Sequence, residues 1–502
     1  MKNRPLLRAL LSGTVLLAAS PALAQQTGDS TAEASTESTS DAPLTAEQAA
    51  AKAALLEAQV QSLQQQIDEL KKAVATVTPS WRGAPQFEDK DKDKGWSFKP
   101  RGRIQYDVGY IENPDDAIQT RNLGFNTRAR RIRLGVEGTI PGGFAYKAEA
   151  DFANASVSFG DVILTYAPKG KLWNFTIGNH ETFESLEQVT SSRFISFLER
   201  AQMNDAFNHT RRIGASFGIS DKGNIARFNA GLFANHSIDS SFDNDGWIFG
   251  ARGTYSPQAL GGMLHLGANF NYRNYQENLQ QVRYRARPFL QTTDQRFVDT
   301  GAFAAESDMT YGVELGGIFG PLHVVGEAQM LNTNAFSAGD RLEGLDATGT
   351  TTVPSENPNF FSWYAEAGYF LTGETRGYKN GMWDRTKVLK PFSKGGWGAL
   401  QLNARYDFLD LATKDLRNGF NNNFGTGGFT PSINLARGGT QTGYLGSLIW
   451  IPEDYVRFIL QYAHTAVKGG PFAGVVDPGL GAPLNERDYN VNSVALRAQV
   501  DF

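Results

Sequence analysis

The chain of 502 residues contains no cysteine, so disulfides, thiolate metal sites and cysteine nucleophiles are excluded. Histidine is scarce. The six lie scattered at 180, 209, 236, 265, 323 and 464, and no HExxH pairs two of them, which excludes a zincin-like centre. Methionine is scarce too, six residues against 33 Phe, 17 Tyr and 53 Gly, a balance that leans towards strands and turns. Long apolar runs are confined to the first 24 residues. After them no stretch of about 18 uncharged apolar residues occurs, so no transmembrane helix is predicted.

Residues 1–24 read as a secretory signal peptide. Lys2, Arg4 and Arg8 form a basic start, an apolar stretch runs from Ala9 to Ala19, and Ala22-Leu23-Ala24 is an A-x-A cleavage signal. Its removal leaves 45 Lys and Arg against 52 Asp and Glu, a formal charge of −7. A secreted chain without a membrane helix is periplasmic, released, or a membrane β-barrel. Residues 25–43, rich in Ser, Thr, Ala and Glu, are expected to be a flexible linker.

Over residues 44–78 the pattern becomes heptad. Val60, Ile67 and Val74 recur every seven residues, as do Leu56, Leu63, Leu70 and Val77, which puts both sets on one helical seam as a and d positions. A coiled coil is expected there, ended by Pro79. β-branched residues at a with Leu at d favour two strands in parallel coils, so the heptads leave the oligomer number open. Residues 79–97 are expected to be a charged linker. Within them Asp89, Asp91 and Asp93 imitate the start of a calcium loop, but Gly95 falls one place late and Pro100 stands where the bidentate Glu belongs, so no metal site is expected.

From residue 98 the period is two. Ile104, Tyr106, Val108 and Tyr110 alternate with Arg103, Gln105, Asp107 and Gly109, and at the end Val494, Leu496, Ala498, Val500 and Phe502 alternate with Arg497, Gln499 and Asp501. Sixteen such segments start near 103, 129, 144, 160, 173, 211, 226, 247, 264, 309, 321, 361, 397, 441, 455 and 490. Short Pro/Gly turns, such as Pro141-Gly142-Gly143 and Gly320-Pro321, alternate with long connections. Two connections break that rule, the short 153–159 and the long 373–396. A soluble β-sandwich or propeller also alternates. Here, however, the apolar side carries aromatics near strand ends (Trp173, Trp247, Trp363, Trp450), and the other side carries Arg, Asp, Glu and Asn. An apolar exterior around a wet interior accounts for both. The expected fold is all-β, a sixteen-stranded antiparallel transmembrane β-barrel over 98–502 with an N-terminal α-helical coiled coil. An enzyme is not expected, since no His sits beside a plausible nucleophile in recognisable context.

Several separated segments resemble the phosphate- and polyphosphate-selective O and P porins of Gram-negative outer membranes. They are FKPRGRIQYD (98–107), RARRIRLGVEG (128–138), SLEQVTSSRFISFLER (185–200), RYRARPF (283–289) with RFVDTG (296–301), YFLTGETRGY (369–378) and the terminal Phe502. The resemblance implies a homotrimer of barrels in outer-membrane lipid, each passing phosphate, polyphosphate or other small anions along a basic ladder. No cofactor and no nucleic-acid partner are expected. Carried over by position, it implies pathway roles for Lys94, Lys99 and Arg103, for Arg130 and Arg131 at the constriction, for Ser191, Ser192 and Arg200 of an infolded loop, and for Arg283, Arg285 and Arg287 on the extracellular side. A family lysine falls at Gln188, and a family acid falls at Gly160 with Asp161 adjacent. Parity leaves Arg130 open. Arg131 and Arg133 share the polar side, so a regular strand turns Arg130 outwards, and only a bulge or strand end turns it in. Alternative readings are a porin for organic acids or sugars, and a structural barrel that tethers the envelope through its coil.

Overall fold

A strand whose side chains alternate between oil and water must separate the two, and sixteen such strands closed into a ring leave no open edge. A computed structural model describes residues 46–77, 80–81, 83–88, 95–114, 118, 122–207, 209–238, 246–275, 281–335, 350–417, 420–423, 428–431, 438–476 and 481–502. The expected signal peptide, the linker 25–43 and Lys94 lie outside them. By contacts the chain divides into residues 1–71 and 72–502. Helix α1, Ala46–Val77, covers nearly all of the expected coil. Its seam residues Leu56, Val60, Leu63 and Ile67 are exposed on the single chain.

Among the described residues, sixteen long strands form the barrel. They are β1 Ser97–Ile111, β2 Gly124–Ile140, β3 Phe144–Asp151, β4 Ser158–Tyr166, β5 Trp173–His180, β6 Arg212–Ser220, β7 Ala226–Ala234 and β8 Gly246–Tyr255. The second half comprises β9 Gly262–Tyr275, β10 Phe303–Phe319, β11 Leu322–Ala335, β12 Asn359–Phe370, β13 Ala399–Asp410, β14 Thr440–Glu453, β15 Val456–Lys468 and β16 Asp488–Asp501. Each pairs antiparallel with the next, and β16 closes on β1 from Ser493↔Ile111 to Asp501↔Arg103. The closure is finished by reciprocal backbone bonds between Gly102 and Phe502, at 3.1 and 3.0 Å. A Cβ on Gly102 would stand 2.0 Å from the Phe502 ring, so the last aromatic occupies the space that glycine leaves.

The parity is as the sequence predicts. On β1, Arg103, Gln105 and Asp107 are buried in the lumen while Ile104, Tyr106 and Tyr110 face outwards. Outside, Trp363, Tyr406 and Tyr444 form a row across three strands with ring centroids 4.9 and 5.3 Å apart, the arrangement of an interfacial girdle. Both chain ends of the barrel and the short turns lie at one end. The long loops lie at the other. Within the expected charged linker, Ser80–Trp81 and Pro85–Glu88 form a small hairpin that extends β1 through Phe87↔Phe98.

The exceptional long connection 371–398 leaves from the short-turn end and turns back into the lumen as a hairpin, Gly377–Lys379 with Met382–Asp384. Arg252 donates to the Gly381 carbonyl at 2.8 Å, and the Tyr378 hydroxyl meets Ser256 and His265 at 2.6 Å each, which holds the hairpin against the wall. At the long-loop end, Tyr284 and Phe297 of the 276–302 connection pack with Phe303, Phe360 and Leu409 in a dry cluster that narrows the mouth.

Candidate functional site

The 181–211 connection folds into the barrel because the lumen wall supplies partners for its backbone. Glu327 on β11 accepts the N–H groups of Leu186 and Glu187 at 2.9 Å, Gln461 on β15 accepts that of Leu198 at 2.8 Å, and Arg457 donates to the Arg193 carbonyl at 2.8 Å. Arg200 braces the loop from within, donating to the carbonyls of Glu187 and Thr190 at 2.8 Å each. These bonds satisfy backbone groups that the loop buries inside the barrel and fix it against the lumen wall.

The pairing of β1 with β2 slips between Gln105↔Arg131 and Tyr106↔Ala129, leaving Arg130 as an extra residue. This bulge resolves the ambiguity of parity, since both arginines of the pair point inwards. They have different partners. Arg130 presents its fork to Glu199 of the infolded loop, at 2.8 and 2.9 Å. Burial opposes ionisation of Glu199, but Arg130 and Arg497 outweigh it and hold the carboxyl well below the ordinary carboxylate range. Among the described residues Arg131 donates only to the Gln105 amide oxygen, at 2.8 Å, and its Nε has no partner. No described carboxylate forms an ion pair with it.

On the short-turn side of the loop lies a chamber of about 770 Å³. Among the described residues its walls carry thirteen Lys and Arg against five Asp and Glu. Lys99, Arg103, Arg131, Ser191, Ser192 and Arg200 all line it. The Ser192 hydroxyl accepts from Arg103 at 2.6 Å, and its carbonyl accepts from Gln105 at 3.2 Å, so these groups and Arg131 form one connected wall. Arg103 lies 3.8 Å from Glu149, a loose pair, and its Nε is also free. Ser191 accepts from Arg193 at 3.1 Å. On the other side of the loop is a smaller vestibule of about 160 Å³ that shares Arg200 with the chamber and adds Arg130, Arg287 and Glu199. Arg287 pairs there with Asp205 at 3.3 Å. Arg283 and Arg285 stand further out, in a cleft of about 390 Å³, where Arg283 is paired with Asp299 and Arg285 is exposed.

The positions read from the sequence are thus split among chamber, vestibule and mouth. Gln188 bonds Glu181 at 3.0 Å and lines the vestibule. Gly160 packs so closely that a Cβ there would stand 2.8 Å from Glu149, while Asp161 lines the chamber and is held by Lys147 and Arg211. Sequence reasoning passed over Lys147, Arg193, Arg211, Lys379 and Arg385, all of which line the chamber. Strand parity marks Lys147. The excess length of the 373–396 connection was the signal for the last two.

A closed antiparallel barrel with an aromatic, apolar exterior and a charged, loop-constricted interior defines an outer-membrane porin. The family model of the phosphate-selective porins O and P matches residues 98–502, and the chain belongs to this family. An uncharacterized protein of Caulobacter vibrioides is 35% identical over 444 residues, covering 86% of this chain and 78% of that one. Porin O of Pseudomonas aeruginosa is 26% identical over 348 residues, covering 64% and 74%. Among solved structures, the outer membrane channel DcaP of Acinetobacter baumannii is 15% identical, covers 83% of this chain and 99% of its own, and gives a TM-score of 0.45. The anion-selective porin from Comamonas acidovorans is 13% identical, with 81% and 100% covered and a TM-score of 0.44.

Proposed function

We propose that this porin passes small oxyanions, phosphate and polyphosphate foremost, through the chamber walled by Arg103, Arg131 and Ser192. The observation that carries the reading is the excess of thirteen cations over five carboxylates among the described residues around one cavity, together with an arginine, Arg131, with which no described carboxylate forms an ion pair. A guanidinium offers a planar fork that meets two oxyanion oxygens at once. Water and low-dielectric walls together make the local field, not the net charge of the chain, the selecting quantity. Several weak sites in series let an anion exchange part of its hydration shell without being trapped.

The same reading has the protein work as a homotrimer in the outer membrane, with the long loops outside and residues 53–77 as a parallel three-stranded coil in the periplasm. The support is the direction of the chain, which enters β1 at the short-turn end, and the exposed seam of α1. That seam also keeps the tethering role alive, with the coil as an envelope anchor. Deleting residues 44–78 distinguishes them, because envelope defects with unchanged conductance indicate a tether. Single-channel conductance in chloride, phosphate and pyrophosphate tests the main reading. Block of the chloride current by the phosphates is expected, and its absence overturns the assignment of substrate.

A further inference from the structure

The bulge on β2 brings Arg130 into the lumen only for a carboxylate of the protein itself to fill its fork. Both Glu199 oxygens are used, at 2.8 and 2.9 Å, and the pair lines the vestibule on the far side of the infolded loop from the chamber. Glu199 also lies 3.0 Å from Arg497. Arg497 donates two further bonds of 2.7 Å to Asp107, its neighbour across the strand pair. A bidentate carboxylate in a guanidinium fork has the donor geometry that a phosphate or sulfate edge would take. The carboxylate is therefore a tethered oxyanion in the wall of the vestibule. Arg200 and Arg287 stand beside it in the same small space.

Resting on the anion-channel reading, we infer that Glu199 is a specificity-determining residue: a built-in counter-anion on Arg130 that multivalent oxyanions displace and monovalent anions do not. The physical basis is charge number and denticity. A dianion such as sulfate presents several oxygens and two charges, so it engages Arg130 and a neighbouring guanidinium together. Chloride presents one charge and no fork, so it leaves the Arg130–Glu199 pair closed and passes without using that site. The pair discriminates by setting an energetic threshold at the vestibule. It works against monovalent traffic as an unfavourable alternative partner does at a selective interface.

The test is electrophysiology on the purified full-length porin in planar bilayers, with chloride and sulfate as probes. Glu199→Gln removes the charge and keeps the shape. It is expected to raise chloride conductance at low salt at least about twofold and to lower the sulfate-to-chloride permeability ratio by about fivefold to tenfold, because chloride then gains the Arg130 contact that sulfate already reaches in the wild type, and one charge-assisted contact spans about that range. If the glutamine variant assembles poorly, Glu199→Ala takes its place with the same shift expected, and Glu199→Asp, which keeps the charge on a shorter arm, is expected to restore most of the ratio. In an Arg130→Ala background Glu199→Gln is expected to have no further effect on the ratio. The inference is overturned if Glu199→Gln leaves the ratio unchanged, or if it acts equally with and without Arg130. Wild-type cation preference would instead remove the anion-channel reading beneath it.

Discussion

Replacing Arg131 by Ala probes a chamber arginine that forms no ion pair with a described carboxylate. The guanidinium lines the chamber from within the lumen wall, donates one bond to Gln105, and has an Nε that is buried without a partner among the described residues. A charge-assisted hydrogen bond contributes about 1.5–3 kcal/mol, and roughly 1.4 kcal/mol is tenfold in affinity. Water in the chamber screens part of this, so the lower end applies. Half-block of the chloride current should then need about tenfold more phosphate in Arg131→Ala, with Arg131→Lys intermediate because it keeps the charge and loses the fork. The fold should tolerate the change, since Gln105 keeps its bonds to Ser192 and Gln499. The assay is phosphate titration of single-channel chloride current in bilayers. Unchanged block and conductance in Arg131→Ala would refute the assignment of this wall as the anion site.

Three further outcomes are expected. Native mass spectrometry in mild detergent should find trimers, and monomers or dimers would count against the proposed assembly. Gly102→Val should lower the heat resistance of the folded barrel in gel-shift assays, because a side chain there meets the Phe502 ring and overpacking costs about 1–3 kcal/mol. Burial, then the charge of Arg273, pushes the His209 imidazole from 6.5 down to about 3. The folded state therefore holds it neutral, and the stability it contributes is present above pH 6.5 and is lost as pH falls towards 3. His209→Gln should flatten that part of a melting-temperature profile, and an identical acid limb in the variant would exclude the residue as its cause.

The barrel was legible because lipid outside and water inside impose a two-residue period on every strand. The expected starts at 144, 173 and 226 coincide with those of β3, β5 and β7, whereas β1, β2 and β10 begin five or six residues before 103, 129 and 309. The early part of β1, Lys99-Pro100-Arg101, does not alternate, and the bulge at Arg130 breaks the period of β2. A bulge is a property of the pairing between strands, so no single strand's sequence announces it. The same limit applies to charge. Arg130 and Arg131 are adjacent in sequence and equivalent in type, yet one is engaged by Glu199, sixty-nine residues away, and the other is free to face the chamber. The hairpin 377–384 was visible only as a connection too long for its end of the barrel. Its place in the lumen depends on Arg252, Ser256 and His265, which are distant in the chain.

The central claim, that the lumen selects anions, is tested most directly by the reversal potential of the purified protein across a bilayer in a potassium chloride gradient. The account predicts a potential displaced towards the chloride equilibrium value, and more strongly at low salt, where the field of the chamber arginines is least screened. A potential displaced towards the potassium value would contradict it.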